Sequence, residues 1–333
     1  MNPTEGTVSA VVCTYNRATE LRHAVASILA QTRAPDQVIV VDDGSTDDTQ
    51  RVLRDFGSAI DVLAQPNQGA SAARNAGIAA AHGTWVAFLD SDDVWLEHHL
   101  ADLLAIVHRR PELDWAFSTR LVKLEPGAPP TEEPVAAKLD TLLDADGCSR
   151  DYLEVAGAGV PSATSAFLMR RDVVSTLGGF DTSFRAGEDL DLYWRIACNH
   201  PTVGVARRPS VVMECHRNDS LSTTASRDAS GKADLIFARN IARNLDRMKS
   251  AGRLAAFESV AGLHLDAVVE RAVERRDPSV LREVGWGAGR LLDPRNRLLL
   301  RWCLATGRPG MELLSSAREL RRRWLRSRGV LQS

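Results

Sequence analysis

The sequence predicts an α/β fold, a mainly parallel sheet flanked by helices, followed by a C-terminal α-helical extension. Three observations carry this. Over the first hundred residues short apolar runs alternate with helical patterns, each run ends in a polar cluster, and beyond about residue 226 the composition turns helical and Arg/Ala/Leu-rich. Strands alternating with helices at this spacing imply βαβ units, whose ligands bind at the carboxyl ends of the strands.

Each element has its own signal. Val8–Cys13, Gln37–Val41, Ile60–Ala64 and Trp85–Leu89 are short apolar runs bounded by polar or turn residues and read as buried strands. Leu21, Val25, Ile28 and Leu29 form a helical stripe between the first two, and Leu96, Leu100, Leu103, Leu104 and Val107 form another after the fourth. Residues 125–134, rich in Pro, Gly, Ala and Glu, read as a loop excursion. A second α/β stretch has strand-like runs at Ser165–Arg170 and Thr202–Ala206, and the C-terminal helices are interrupted near Asp277-Pro278, Gly285–Gly289, Asp293-Pro294 and Pro309-Gly310. The expected division is residues 1–226 and 227–333.

The 333 residues, 44% hydrophobic and 25% charged, describe a globular chain with enough apolar mass for a sizeable core. Nothing approaches the ~18 uninterrupted apolar residues of a membrane helix, and Met1–Gly6 lacks a secretory pattern, so a cytoplasmic location is expected. The five cysteines form no CxxC pair, which points to reduced thiols rather than a disulfide framework or a zinc site. The net charge of −2 conceals an asymmetry: residues 1–230 carry 20 Lys and Arg against 32 Asp and Glu, whereas residues 231–333 carry 21 against 11. An acidic module and a basic module have different partners.

Four strand-end clusters and one later motif could carry chemistry. After the first strand, Thr14-Tyr15-Asn16-Arg17 offers an aromatic ring to a planar base and a helix start to an anion, although Tyr15 could equally pack on the sheet rim and Asn16 cap the helix. After the second, Asp42-Asp43-Gly44-Ser45-Thr46-Asp47 supplies a turn and a helix cap, and leaves two adjacent carboxylates able to accept hydrogen bonds from a base imide or a ribose hydroxyl. In Asn67–Gly77 the lone cation is Arg74, a surface arginine or a partner for an anionic group. After the fourth strand come Asp90-Ser91-Asp92-Asp93, carboxylates that repel one another unless a cation neutralises them, and D-x-D spacing supplies the hard oxygens that Mg²⁺ or Mn²⁺ prefers. Asp93 reads also as a helix cap. Finally Leu177-Gly178-Gly179-Phe180-Asp181 precedes a helix whose first turn holds Glu188, Asp189 and Asp191, either as dipole-stabilised acids or as a source of a general base.

Taken in order, VSAVVCTYNR, VIVVDDGSTDDT, NQGASAARNAGI, WVAFLDSDDVW and LGGFDTSFRAGEDLDLYWR resemble an inverting family 2 glycosyltransferase with the Rossmann-like GT-A fold. The resemblance implies a transferase moving a sugar from a nucleotide-sugar donor, UDP-linked by family habit with dTDP and GDP open, to a carbohydrate or lipid-linked acceptor, in cell-surface polysaccharide or glycoconjugate biosynthesis. It implies that Thr14 and Tyr15 flank the base, Asp43 accepts from it, Arg17 and Arg74 lie near ribose or diphosphate, Asp90 and Asp92 form the DxD motif with Mn²⁺ or Mg²⁺, and Asp189 beside Glu188 is the catalytic base. His216 matches loosely a late histidine that approaches the metal or diphosphate. Two other functions share much of the pattern. A nucleotide-sugar-binding scaffold has little need of Asp189, and a sugar-phosphate nucleotidyltransferase is expected to carry a glycine-rich loop after its first strand, where this sequence has Cys13–Arg17.

The C-terminal hundred residues match none of these motifs. Leu313, Ala317, Leu320 and Trp324 make an apolar stripe amid Arg318, Arg321, Arg322, Arg323, Arg326 and Arg328, a pattern of a helix packed on protein or resting on the inner face of an anionic membrane. No nucleic-acid recognition motif is present, and no nucleic-acid partner is expected.

Overall fold

The computed structural model describes residues 6–125, 127–184, 187–214, 232–287, 289–292 and 295–305. His216 and the arginine-rich stretch 311–328 lie outside the described residues. The chain divides into two compact units, Met1–Ser220 and Leu221–Ser333.

The first unit is built on one sheet with strand order β3-β2-β1-β4-β9-β6-β10-β5, from β1 Val8–Thr14, β2 Gln37–Asp42, β3 Asp61–Ala64, β4 Trp85–Asp90, β5 Val94–Trp95, β6 Trp115–Lys123, β9 Phe167–Arg170 and β10 Val203–Glu214. Two short strands, β7 Thr131–Glu132 and β8 Cys148–Ser149, pair with β6 and β10. The helices are α1 Ala18–Leu29, α2 Thr49–Phe56, α3 Ala70–Ala80, α4 His99–Arg109, α5 Ala136–Leu142, α6 Tyr152–Gly157, α7 Arg171–Thr176 and α8 Glu188–Asn199.

The parallel expectation holds for β3, β2, β1 and β4. Beyond β4 the sheet is mixed, because β9 runs antiparallel to both β4 and β6 while β10 returns parallel to β6. Register places Cys13 opposite both Val41 and Asp90, and Thr14 opposite Asp42, so three of the predicted clusters emerge side by side along one edge. The sequence reading missed β6, whose Trp115, Phe117, Ser118 and Thr119 are all buried, and found only the start of β10. The excursion at 125–134 contains β7, which hydrogen-bonds along β6 from Val122 to Thr131.

The helices close on the sheet by deep apolar contact. Leu21, Ala24, Val25 and Ile28 of α1 are buried, as are Leu100, Leu103, Leu104 and Val107 of α4. Helix α3 approaches β1 closely because Gly77 has no Cβ: one added there would stand 2.3 Å from Val11 Cγ1. That proximity brings Arg74, one turn earlier, down to the strand ends. Gly77→Ala is therefore expected to cost about 1–3 kcal/mol by overpacking, read as a lower denaturant midpoint with unchanged slope; a shift below 0.5 kcal/mol would show that α3 yields freely.

The second unit consists of α9 Lys232–Ser250, α10 Leu254–Arg275 and α11 Pro278–Gly287, with residues 295–305 also helical. Ile241, Leu245, Met248, Phe257, Val268, Val269 and Leu281 are among its buried residues. Helix α10 ends at Arg276 in the left-handed region, and Asp277 Oδ1 accepts from Ser279 N–H at 2.9 Å to start α11, as the Asp277-Pro278 break predicted. A buried Asp234 pairs with Arg271 at 2.7 Å and with Arg275. No described helix is long and apolar enough to cross a membrane. Cys13 and Cys148 are free thiols.

Candidate active site

The loop ends of β1 and β2 are tied to each other. Asn16 takes the left-handed conformation, φ 52°, and does not cap α1. Its N–H donates to Ser45 Oγ at 2.9 Å and its Oδ1 accepts from Thr46 N–H at 2.7 Å. Asp47 caps across the gap, accepting from Ala18 N–H at 3.1 Å and Thr49 N–H at 3.0 Å. These bonds leave Tyr15 with 47% of its surface exposed at the rim, while Thr14 is buried and its Oγ1 has no hydrogen-bond partner.

The two adjacent acids after β2 divide their work. Asp42 is turned inward, accepting from Ser45 N–H at 2.9 Å and from Gln50 Nε2. Asp43 anchors the loop before α3: Oδ1 accepts from Gln65 Nε2 at 2.7 Å and Gln68 N–H at 2.9 Å, and Oδ2 from Gly69 N–H at 2.7 Å. An ionised carboxylate offers about four acceptor positions. Asp43 thus spends most of its capacity on shaping this loop.

Arg74 is the centre of the site. It is 5% exposed, donates through Nη2 to Asp90 Oδ1 at 2.6 Å and through Nη1 to Glu188 Oε1 at 2.8 Å, and its guanidinium carbon lies 5.2 Å from the Phe180 ring centroid. The surface alternative for Arg74 is excluded. Although burial opposes charge, the two carboxylates hold its pKa well above the ordinary arginine value. One guanidinium fork thereby joins the turn after β4 to the first turn of α8.

Arg17 approaches the same turn, with Nη1 3.4 Å from Asp92 Oδ2. Asp93 is buried, and its cause for being there is Ser165, whose Oγ donates to Asp93 Oδ2 at 2.5 Å and accepts from Asp90 N–H at 3.0 Å. The Ser165 carbonyl accepts from Trp95 Nε1 at 2.7 Å. Burial and the charges of Asp90 and Asp92 push the Asp93 carboxyl well above the usual carboxylate range. Ser165 thus fixes the acidic turn. Sequence reading had it only as the first residue of a strand, since nothing in PSATSAF distinguishes one buried hydroxyl from its neighbours.

On α8, Asp189 Oδ1 accepts its neighbour's N–H, Leu190, at 2.8 Å. Burial and then the Glu188 charge push its carboxyl from 3.8 up to about 7, against the opposing pull of Arg74. Its charge in turn helps to raise the hydroxyls of Tyr152 and Tyr193, which burial raises most and which are held by Ser162 at 2.9 Å and Thr164 at 3.2 Å. Glu188 is buried and engaged with Arg74, while Asp189 has a carboxyl poised near neutrality. Asp191 is different again: buried, it accepts from Arg195 Nε at 2.7 Å.

The structure therefore brings Arg74, Asp90, Glu188 and Asp189 together, sets Arg17 and Asp92 beside them, and places Thr14, Tyr15 and Asp43 at the adjoining ends of β1 and β2. Residues 9–132 match the model of Glycosyl transferase family 2. Over that segment the chain is similar to the family, and the match ends before α8. Its fold is GT-A: it superposes on S. aureus TarS 1-349, solved with UDP-GlcNAc, with a TM-score of 0.71 at 16% identity over 94% of this chain and 92% of that one. It also resembles the mannosyltransferase PcManGT of Pyrobaculum calidifontis, solved with GDP-Man and Mn²⁺, at a TM-score of 0.53 and 16% identity over 93% and 87% of the two chains. Among named relatives, the pre-mycofactocin glycosyltransferase of Mycobacterium tuberculosis is 35% identical over 209 residues, 58% of this chain and 40% of its own length. The chain thus spans well under two thirds of that relative. In this fold, motifs separated by more than a hundred residues in sequence meet at a single arginine, Arg74.

Proposed function

We propose that this chain is an inverting glycosyltransferase moving a sugar from a nucleotide sugar, a UDP-sugar in the first instance, to a hydroxyl of a carbohydrate or lipid-linked acceptor. The observation that carries the reading is the Arg74 fork, which holds the donor-side acid Asp90 at 2.6 Å and Glu188, the neighbour of the base, at 2.8 Å. Asp189 takes the proton of the acceptor hydroxyl as its oxygen bonds to the anomeric carbon and the sugar–phosphate bond breaks, the electron pair leaving with the diphosphate. A carboxyl near 7 is well matched to that transfer at neutral pH. A single displacement inverts the anomeric centre and needs no protein nucleophile. On the donor side, the partnerless buried Thr14 Oγ1 and the exposed ring of Tyr15 support contact with the base.

A divalent cation, Mn²⁺ or Mg²⁺, fits the donor set in its chemistry, since Asp90 and Asp92 offer hard carboxylate oxygens on side chains 35% and 20% exposed. Among the described residues no group of three or more His, Cys, Asp or Glu is placed to hold a metal. Asp92 and Asp90 would be the residues that hold it. When bound, the cation would neutralise charge on the leaving diphosphate. The proximity of Arg17 to Asp92 lets the arginine occupy this carboxylate otherwise.

A thermal-shift screen of UDP-, dTDP- and GDP-sugars with Mn²⁺ identifies the donor through its stabilisation of the folded chain. Asp92→Ala is expected to weaken that donor about 10- to 100-fold in calorimetry, 1.4–2.8 kcal/mol, and to abolish its Mn²⁺ dependence. An unchanged Mn²⁺ dependence would remove Asp92 from the metal site. Nucleotide release by the wild type separates a transferase from a binding scaffold, which releases none.

A further inference from the structure

We propose that Asn75 and Arg195 are positioning residues that staple α3 to α8 through the Gly179–Phe180 turn, and so set the approach of Arg74 to Glu188. The proposal rests on the transferase reading above. None of the contacts recorded for these two side chains is with Asp90, Glu188 or Asp189; both act on the backbone between the helices that bear the site.

On one side, Asn75 Nδ2 donates to the Phe180 carbonyl at 2.8 Å, and Asn75 Oδ1 accepts from the Phe180 N–H at 2.8 Å. The carboxamide thus satisfies both polar groups of one buried residue, as a neighbouring strand would. On the other side, Arg195 Nη1 donates to the Leu177 carbonyl at 2.8 Å and Nη2 to the Gly179 carbonyl at 2.6 Å, while its Nε is held by the buried Asp191. The turn is built for this closeness. Gly179 has φ +68°, and a Cβ there would fall 2.3 Å from Asn75 Oδ1.

What the turn carries makes the arrangement functional. Phe180 is buried with its ring against Phe88 of β4, centroids 5.4 Å apart, and under the guanidinium of Arg74. Asn75 adjoins Arg74 on α3, and Arg195 and Asp191 share α8 with Glu188 and Asp189. A turn bound to one helix alone would stabilise the fold without relating the two. Bound to both, it fixes the cation and the acids relative to each other, and small misplacements of such groups carry large rate penalties.

The test compares Asn75→Ala, Arg195→Lys and the double variant in the full chain, scoring nucleotide release per folded molecule from the UDP-sugar with Mn²⁺, together with hydrogen exchange of the first turn of α8. Asn75→Ala is expected to lower kcat about 10-fold with donor KM within about threefold, and to speed exchange at 188–191, more than a hundred residues away in sequence. Arg195→Lys, whose single ammonium cannot span two carbonyls and a carboxylate, should act likewise, and the double variant should lose less than the product of the two. Asn75→Asp, which keeps the acceptor for Phe180 N–H and loses the donor, should fall between wild type and Asn75→Ala, and it supplies the same comparison if the alanine variant does not fold. Multiplicative kcat losses with unchanged exchange at α8, or a lower melting temperature with wild-type kcat per folded molecule, overturn the staple. A wild type that releases nucleotide from none of the donors overturns the transferase reading and the staple's role in it; a wild type that turns over while Asn75→Ala matches it overturns the staple alone.

Discussion

Asp189→Asn is expected to lower turnover about 10²- to 10⁴-fold, the contribution typical of a positioned general base, with donor affinity preserved. The wild-type kcat should rise with pH through about 7 and then level, because the carboxylate is the form that accepts the proton. That limb should vanish in the variant. The same substitution should stabilise the fold. The Asp189 carboxyl goes from 3.8 to about 7 on folding, so its stabilising contribution is full below pH 4 and is lost as pH rises to 7, where the native state must hold an ion beside Glu188. An uncharged amide avoids this, and at pH 8 the variant should melt about 2–4 °C higher, roughly 1 kcal/mol for a unit of this size. At pH 4 the difference should disappear. A stabilised, inactive Asp189→Asn would mark strain kept for function; near wild-type turnover would remove Asp189 from the base role.

Arg74→Met should be the most destabilising single change in the site. It removes one buried cation from two carboxylates, Asp90 and Glu188, and breaking a buried ion pair by deleting one partner costs about 3–5 kcal/mol. Arg74→Lys should fall between, a single ammonium being unable to form the fork. Urea unfolding measures this, and a loss below 1 kcal/mol would mean that solvent or Arg17 replaces the charge readily.

Both expectations hang on residues visible in the sequence, yet their basis was not. Asp90, Asp92 and Asp93 stood out because carboxylates at a strand end need a reason, and Asp189 because acids crowd a helix start. Their differences were invisible. Asp93 is the buried one because Ser165 reaches it from a segment more than seventy residues later, and Glu188 rather than Asp189 is taken by Arg74 because of the direction each side chain leaves α8. Asp43, read as a ligand for a base, proves also to hold the 65–69 loop through three N–H groups. Strand β6 escaped notice because WAFSTRLVK interrupts its apolar run with Ser118 and Thr119, which are buried in the sheet all the same.

By itself the sequence determined the alternation of strands and helices, the placing of polar clusters at strand ends and the family those clusters resemble, because these depend on local periodicity and short motifs. Tertiary structure alone decided that Arg74 is an internal cation rather than a solvated one, that Ser165 governs the acidic turn and that Asn75 and Arg195 grip the same turn from two helices. Each of these is a contact between segments far apart in the chain. Burial and charge pairing arise only when the sheet brings such segments to one edge, and no spacing within a single motif records them.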